Sequence, residues 1–226
     1  METTPPPHLP APSPLKLSAS SALVMLVFTL VFTGIMAGTY ELARAPIARS
    51  QQAEQLRLIN EILPPASYDN RLLDDLLTLP AAPELGLPRG ARIWRARLAG
   101  EPAALVMEAA ARDGYAGEIA LVIAVRADGT LAGVRVTHHK ETPGLGDYID
   151  PKKDRNKQQP WIAQFAGRNL ADTPAAAWTV SKDGGAFSYR TGATISARAV
   201  TEAVGRALNF AQTQGDALYA PAGEQP

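Results

Sequence analysis

The feature that most limits what this chain can fold into is an uncharged run from Leu17 to Tyr40, bracketed by Lys16 and Glu41. Its centre, Leu23-Val24-Met25-Leu26-Val27-Phe28-Thr29-Leu30-Val31-Phe32, is strongly apolar. As a helix rising about 1.5 Å per residue, the run spans the roughly 30 Å hydrocarbon core of a bilayer. No polar face interrupts it, so it does not read as the core helix of a soluble domain. A cleaved signal peptide would carry a shorter apolar region, about 7–15 residues, behind a basic start. Here Lys16 is the only Lys or Arg among the first 18 residues. Ala43-Arg44-Ala45 has a cleavage-like shape, but Pro46 follows it. We therefore expect an uncleaved single transmembrane helix over 17–40, anchored in the lipid bilayer. Arg44, Arg49 and Arg57 follow the run, and a positive-inside count alone would leave the domain in the cytoplasm.

The span divides the rest of the chain. Residues 1–16 are rich in proline, with six in the first 15, and read as a disordered tail. Residues 41–216 suffice for one domain with a real core, and 217–226 read as a flexible C-terminal tail. The chain has 22 Lys and Arg against 22 Asp and Glu, which argues against nucleic acid as a partner. It has no cysteine, which excludes disulfides, iron–sulfur clusters and thiolate metal sites.

Within the domain, Pro46 suits the first turn of a helix running to about Leu63, ended by Pro64-Pro65. Asp69-Asn70 ahead of Leu72, Leu73, Leu76 and Leu77 predicts a second short helix. Alternating or branched runs predict strands at Ile93–Leu98, Ala104–Ala111, Glu118–Arg126 and Leu131–His138. Asp128-Gly129 is the strongest hairpin signal between them. A short helix from Trp161 closing at Gly167, a short strand at Trp178-Thr179-Val180, and a final helix from Ser196 to about Thr213 complete the pattern. Strands grouped centrally with helices on both flanks give an α+β fold: one domain with a central, antiparallel-rich sheet.

Two segments carry the candidate chemistry. The first, Thr191-Gly192-Ala193-Thr194-Ile195-Ser196, is a small-residue turn that delivers a Thr hydroxyl to a helix N-terminus. Backbone N–H groups and the helix dipole there favour an anion such as a phosphate, and Arg198 would add to the positive field. Val200, Val204, Leu208 and Ala211 supply the helix's apolar stripe. The competing reading is an ordinary helix start with a Ser or Thr cap. The second, His139-Lys140-Glu141-Thr142-Pro143-Gly144-Leu145-Gly146-Asp147, is a tight loop whose free N–H groups can approach a planar ring or a phosphate; its bland reading is a strand-to-helix turn. His138 and His139 point to opposite faces of a strand, so neither a metal centre nor a catalytic His is expected. The loop from Asp150 to Pro160 is basic and reads as a solvated face able to dock an acidic partner. No P-loop, nucleophile elbow or dinucleotide fingerprint is present.

Together, in this order and at this separation, the two segments resemble the FMN-binding domain family, in the branch formed by the G subunit of the Rnf (Rsx) ion-translocating electron transport complex. Tyr68-Asp69-Asn70, Asp113-Gly114-Tyr115, Val134-Arg135-Val136-Thr137 and Lys182-Asp183-Gly184-Gly185 extend the likeness. The resemblance implies FMN held covalently, through its phosphate, on the hydroxyl of Thr194. A separate flavin transferase would make that bond from FAD. It further implies that Thr191, Gly192 and Ala193 shape the attachment turn, and that Glu141, Thr142, Gly144, Leu145 and Gly146 lie against the flavin. It implies a single-pass protein of the bacterial inner membrane with its domain on the periplasmic side, against the charge count. The partners implied are the other subunits of the complex, and no side chain acts as catalyst. Ser188-Tyr189-Arg190 stands where relatives commonly carry an Asp. The alternatives are a flavin carrier like the C subunit of the sodium-pumping NADH:quinone reductase, or an anchored scaffold with no redox role.

Overall fold

The computed structural model describes residues 14–220, and the tail expected over 1–16 lies outside them as far as residue 13. The chain forms two compact units that divide at Ala53/Glu54. One long helix, α1 (Pro14–Asn60), gives residues 14–53 to the first and 54–60 to the second, and runs on through Pro46 instead of restarting there. Its apolar side chains stay exposed, from Leu23 and Phe28 to Ile35 and Met36. It is long and apolar enough to cross a membrane.

The second unit is built on a five-stranded antiparallel meander: β1 (Leu76–Leu79), β2 (Ala91–Leu98), β3 (Glu101–Gly114), β4 (Gly117–Arg126) and β5 (Leu131–His138), in that spatial order. Asp128-Gly129 makes the expected hairpin, with the Gly129 N–H on the Arg126 carbonyl and the Asp128 carboxylate accepting from the Thr130 N–H. One face of the sheet packs Ile93, Leu105, Met107, Leu121, Ile123 and Val134 against the final helix, α2 (Thr194–Tyr219), whose Val200, Val204, Leu208 and Ala211 are buried as their spacing requires. The opposite face holds a smaller cluster, in which Ile59, Ile62, Leu63 and Leu72 cover Trp94, Ala104, Val106 and Ala124. Both faces are covered, so β3 reads as a nearly continuous apolar run with little alternation.

Three local expectations are corrected. Leu72 to Leu77 is not a helix. Leu72–Asp74 form a turn, and Leu76–Leu79 pair with Ala91–Trp94 as the edge strand β1. Pairing with β2, and the grip of Arg95 and Arg97 on the Asp75 carboxylate, outweigh the leucine-rich helical preference. Trp178–Val180 is not a strand; Val180 makes one isolated bridge to Phe187, and Trp178 packs in the core with Phe165 and Phe187. Finally, α2 continues past Thr213 to Tyr219 with Leu218 buried, which takes residues 217–219 out of the expected tail.

Candidate functional site

The sheet brings the two chemistry-bearing segments together by topology. β3 ends and β4 begins at the tight turn Gly114–Gly117, and β5 ends beside them because His138 pairs with Ala120. The loop 139–147 therefore leaves the sheet next to that turn. Helix α2, laid along the same sheet, starts at this end. Between the turn, the loop and the helix start lies a cavity of about 130 Å³. Glu141, Thr142, Leu145, Gly146, Gly192 and Ala193 line it, all expected at the site, together with Tyr115, Ile195 and Ser196, which lie in the motifs but carry no expected contact with the cofactor. Gly144, Thr191 and Thr194 flank it without lining it.

Glu141 forms the floor. Its side chain is buried, accepting from the Ser196 hydroxyl at 2.5 Å and from the Ala116 N–H at 3.1 Å. One carboxylate thus ties the loop to the start of α2 and to the β3–β4 turn. Its own N–H donates to His139 Nδ1 at 3.1 Å, which gives that histidine a local structural task. The carbonyl of Thr142 accepts from the N–H groups of both Leu145 and Gly146, and Asp147 accepts from the Gly144 N–H at 2.9 Å. Gly146 has to be small: a Cβ there would stand 2.8 Å from Ser196 Oγ and 2.9 Å from Glu141 Oε2.

The turn before α2 is a four-residue β-turn. The Ala193 N–H donates to the Arg190 carbonyl at 3.0 Å, and Gly192, at the third position, has φ +88°. A positive φ at that position is what a type II turn asks of glycine. Crowding is not the reason, since a Cβ on Gly192 would only reach ordinary contact with Leu145 at 3.7 Å. The helix then starts at Thr194, two residues earlier than its apolar stripe indicates, with Ala193 as the cap residue. No side chain caps it, and no acid lies in its first turn. That sets aside the ordinary Ser or Thr cap. Thr194 is half-buried, and its hydroxyl takes no hydrogen-bond partner among the described residues. Arg198 does not add the free positive charge expected of it, because Asp183 holds it at 2.6 Å.

Outside α1, the large apolar side chains that remain exposed are few, and Tyr115, Leu145 and Ile195 all stand at this cavity. Sequence patterning named Leu145 but not the rim, because its three members come from separate segments. It also missed Asp154. The loop 150–160 exposes Lys152, Lys153, Arg155 and Lys157 as expected, yet Asp154 within it is fully buried. Its carboxylate accepts from the N–H groups of Asn156 and Trp161 and from the Arg190 guanidinium. Burial alone would raise this carboxyl; the two N–H groups and Arg190 outweigh it and hold it below the usual carboxylate range. A larger cavity, about 450 Å³, lies by the far end of α2 between Arg126, Asp128 and Asp216, and none of the predicted site residues lines it.

Residues 114–209 match the FMN-binding domain family, and residues 16–62 match the RnfG N-terminal region. The chain is 42% identical over 201 residues to the G subunit of the ion-translocating oxidoreductase complex of Pseudomonas aeruginosa (strain UCBPP-PA14), covering 89% of this chain and 92% of that one. It is 39% identical over 199 residues to the G subunit of the same complex in Escherichia coli (strain K12), covering 88% and 93%. A more distant likeness, at 20% identity and a TM-score of 0.39 over 59% of this chain and 65% of the other, is to the crystal structure of the C subunit of the Na(+)-translocating NADH-quinone reductase from Parabacteroides distasonis. With both of its matched regions in order and relatives aligned over nearly their full length, the chain belongs to the family of G subunits of the ion-translocating oxidoreductase complex.

Proposed function

We propose that this protein is the FMN-carrying electron-transfer subunit of an Rnf-type ion-translocating complex, with FMN joined through its phosphate to Thr194. The observation that carries the reading is the start of α2: an uncapped helix N-terminus, free of acids in its first turn, with a Thr hydroxyl at its first position that has no hydrogen-bond partner among the described residues. Such an end suits a phosphate dianion. The residues present also fit the rest of the cofactor. Tyr115, Leu145 and Ile195 offer apolar surface to a planar ring, and the backbone of the 141–147 loop offers polar groups beside it.

Each part of the site then has a task. Thr194 Oγ would form the phosphoester and lose its proton, while the pyrophosphate of FAD breaks and AMP leaves on a flavin transferase. The first-turn N–H groups of α2 hold the phosphate. Glu141, through Ser196 and the Ala116 N–H, keeps loop, helix and turn in register around the cavity. The flavin, when bound, supplies the electron-transfer chemistry, and the protein supplies attachment, orientation and electrostatics. No side chain is assigned acid, base or nucleophilic work on a substrate. The partners are the other subunits of the complex, and α1 is the anchor in the bacterial inner membrane. We infer a domain on the periplasmic side.

The test is an intact-mass measurement, with in-gel fluorescence, on protein purified from membranes. Wild type should carry one FMN and fluoresce under denaturing conditions, and Thr194→Ala should be dark. A fluorescent Thr194→Ala band would move the attachment elsewhere. A colourless wild type made beside an active transferase would favour a scaffold. For sidedness, a periplasm-active reporter fused after Pro226 should be active; one active only in the cytoplasm would reverse the topology.

A further inference from the structure

The turn that precedes Thr194 is held by a group of residues that the flavin site itself does not use. Thr191 and Gly192 are exposed at its tip, and Gly192 brings the backbone freedom of a glycine. Ordering such a segment costs conformational entropy. Left to itself, the turn would present Thr194 and the first N–H groups of α2 in many arrangements.

Three side chains from elsewhere prevent that. The Tyr148 phenol bridges the two ends of the turn: it accepts from the Arg190 N–H at 3.1 Å and donates to the Ala193 carbonyl at 3.3 Å. The Arg190 guanidinium lies over the Tyr148 ring, 4.5 Å from its centre. The same guanidinium is bound by Asp154, which is fully buried and fixed by the N–H groups of Asn156 and Trp161. Trp161 closes the group, with its ring edge-on to Tyr148 at 5.5 Å and its indole N–H on the Ser188 carbonyl at 2.7 Å. The chain is anchored on both sides of the turn, by Ser188 before it and Ala193 after it.

We propose that Tyr148, Asp154 and Arg190 are a staple that sets the attachment turn in its loading-competent shape, so that Tyr148 and Asp154 are positioning residues for Thr194. This rests on the reading of Thr194 as the point of attachment. It gives the basic loop after Asp147 a second task besides facing solvent: it carries the carboxylate that fixes the turn. It also accounts for an arginine immediately before Thr191, since its charge is spent within the protein on Asp154 and the Tyr148 ring.

The decisive variant is Tyr148→Phe, which removes one hydroxyl and keeps the buried ring. Purified full-length protein is incubated with FAD and a flavin transferase, and the initial rate of flavin incorporation is followed with hydrogen exchange and melting temperature. Exchange is read in the Thr194→Ala background, where no flavin interferes. The expected result is incorporation slowed roughly tenfold, the effect of losing a bridging hydroxyl's two bonds. Exchange at the Arg190 and Ala193 amides should quicken by a similar factor, with sheet amides close to wild type and the melting temperature lowered by only a few degrees. Asp154→Asn should act in the same direction. Incorporation at the wild-type rate in Tyr148→Phe overturns the proposal. So does slow incorporation with unchanged exchange at those two amides, which would mark a transferase contact. Flavin found in Thr194→Ala overturns the attachment reading itself, and the staple with it.

Discussion

The two ends of α2 are treated in opposite ways. At its C-terminal end the last carbonyls are taken: Arg95 donates to the Ala220 carbonyl at 2.7 Å and Arg97 to the Tyr219 carbonyl at 2.9 Å. Asp75 gathers both guanidinium groups, and Arg97 also lies over the Tyr219 ring, 6.0 Å from its centre. At the N-terminal end nothing comparable occurs. No side chain caps the helix, and no acid lies in the first turn. The carboxylate that does reach the first turn, Glu141, is engaged by Ser196 Oγ and the Ala116 N–H. A helix end left without partners is a stability cost that folded proteins seldom leave in place without a use. One end of this helix is tied down by side chains, and the other is left open, as the proposed phosphate site requires.

The strongest way to break that comparison is to close the open end. Ala193→Asp puts a carboxylate at the cap position, where it competes with a phosphate for the same N–H groups and repels it. Flavin loading should fall by tenfold or more, since about 1.4 kcal/mol of helix-end attraction is lost and like-charge repulsion is added. The sheet should stay intact by circular dichroism. Full loading in a folded Ala193→Asp protein would show that the phosphate sits elsewhere.

The converse change opens the closed end. Arg95 is buried, and Arg95→Ala leaves the Ala220 carbonyl and part of the Asp75 carboxylate unsatisfied. A hydrogen bond to a charged group contributes about 1.5–3 kcal/mol, so a loss of about 2 kcal/mol is expected. For a domain of this size that lowers the melting temperature by roughly 4–8 °C. Flavin content per folded molecule should not change. A loss of flavin that exceeds the loss of folded protein would mean that the two ends are coupled through the helix.

Legibility in the sequence followed the range of the interactions. The membrane-length run, the Asp128-Gly129 hairpin and the apolar stripe of α2 depend on neighbours close in the chain, and the structure carries all three. Leu76 and Leu77 mislead because an edge strand is decided by its partner, here Ile93 and Trp94. The cavity is half legible. Its two motif segments can be named, but Tyr115 joins them only through the β3–β4 turn, and Ser196 is turned inward by Glu141. Asp154 is invisible for a different reason. A single acid among Lys152, Lys153, Arg155 and Lys157 reads as one more solvated charge, and only the fold brings Arg190 to it.

The smallest effect expected at the open end comes from Asp183. This residue pairs with Arg198, and both side chains are about one-third exposed, at 35% and 34%. The Arg198 side chain, through its hydrogen bond, holds the Asp183 carboxyl below its ordinary range, so the pair persists at neutral pH. Exposed pairs of this kind add little to stability, and Asp183→Asn should leave the melting temperature unchanged within error. It frees the Arg198 charge one turn from the uncapped N-terminus, however. If a phosphate is drawn to this end, loading should become modestly faster at low ionic strength, and the gain should vanish near 1 M salt, where the Debye length is about 3 Å. A gain that is independent of salt would point to a changed turn. No gain at any ionic strength would mean that Arg198 lies outside the field the phosphate meets, leaving the backbone N–H groups of α2 as the attraction.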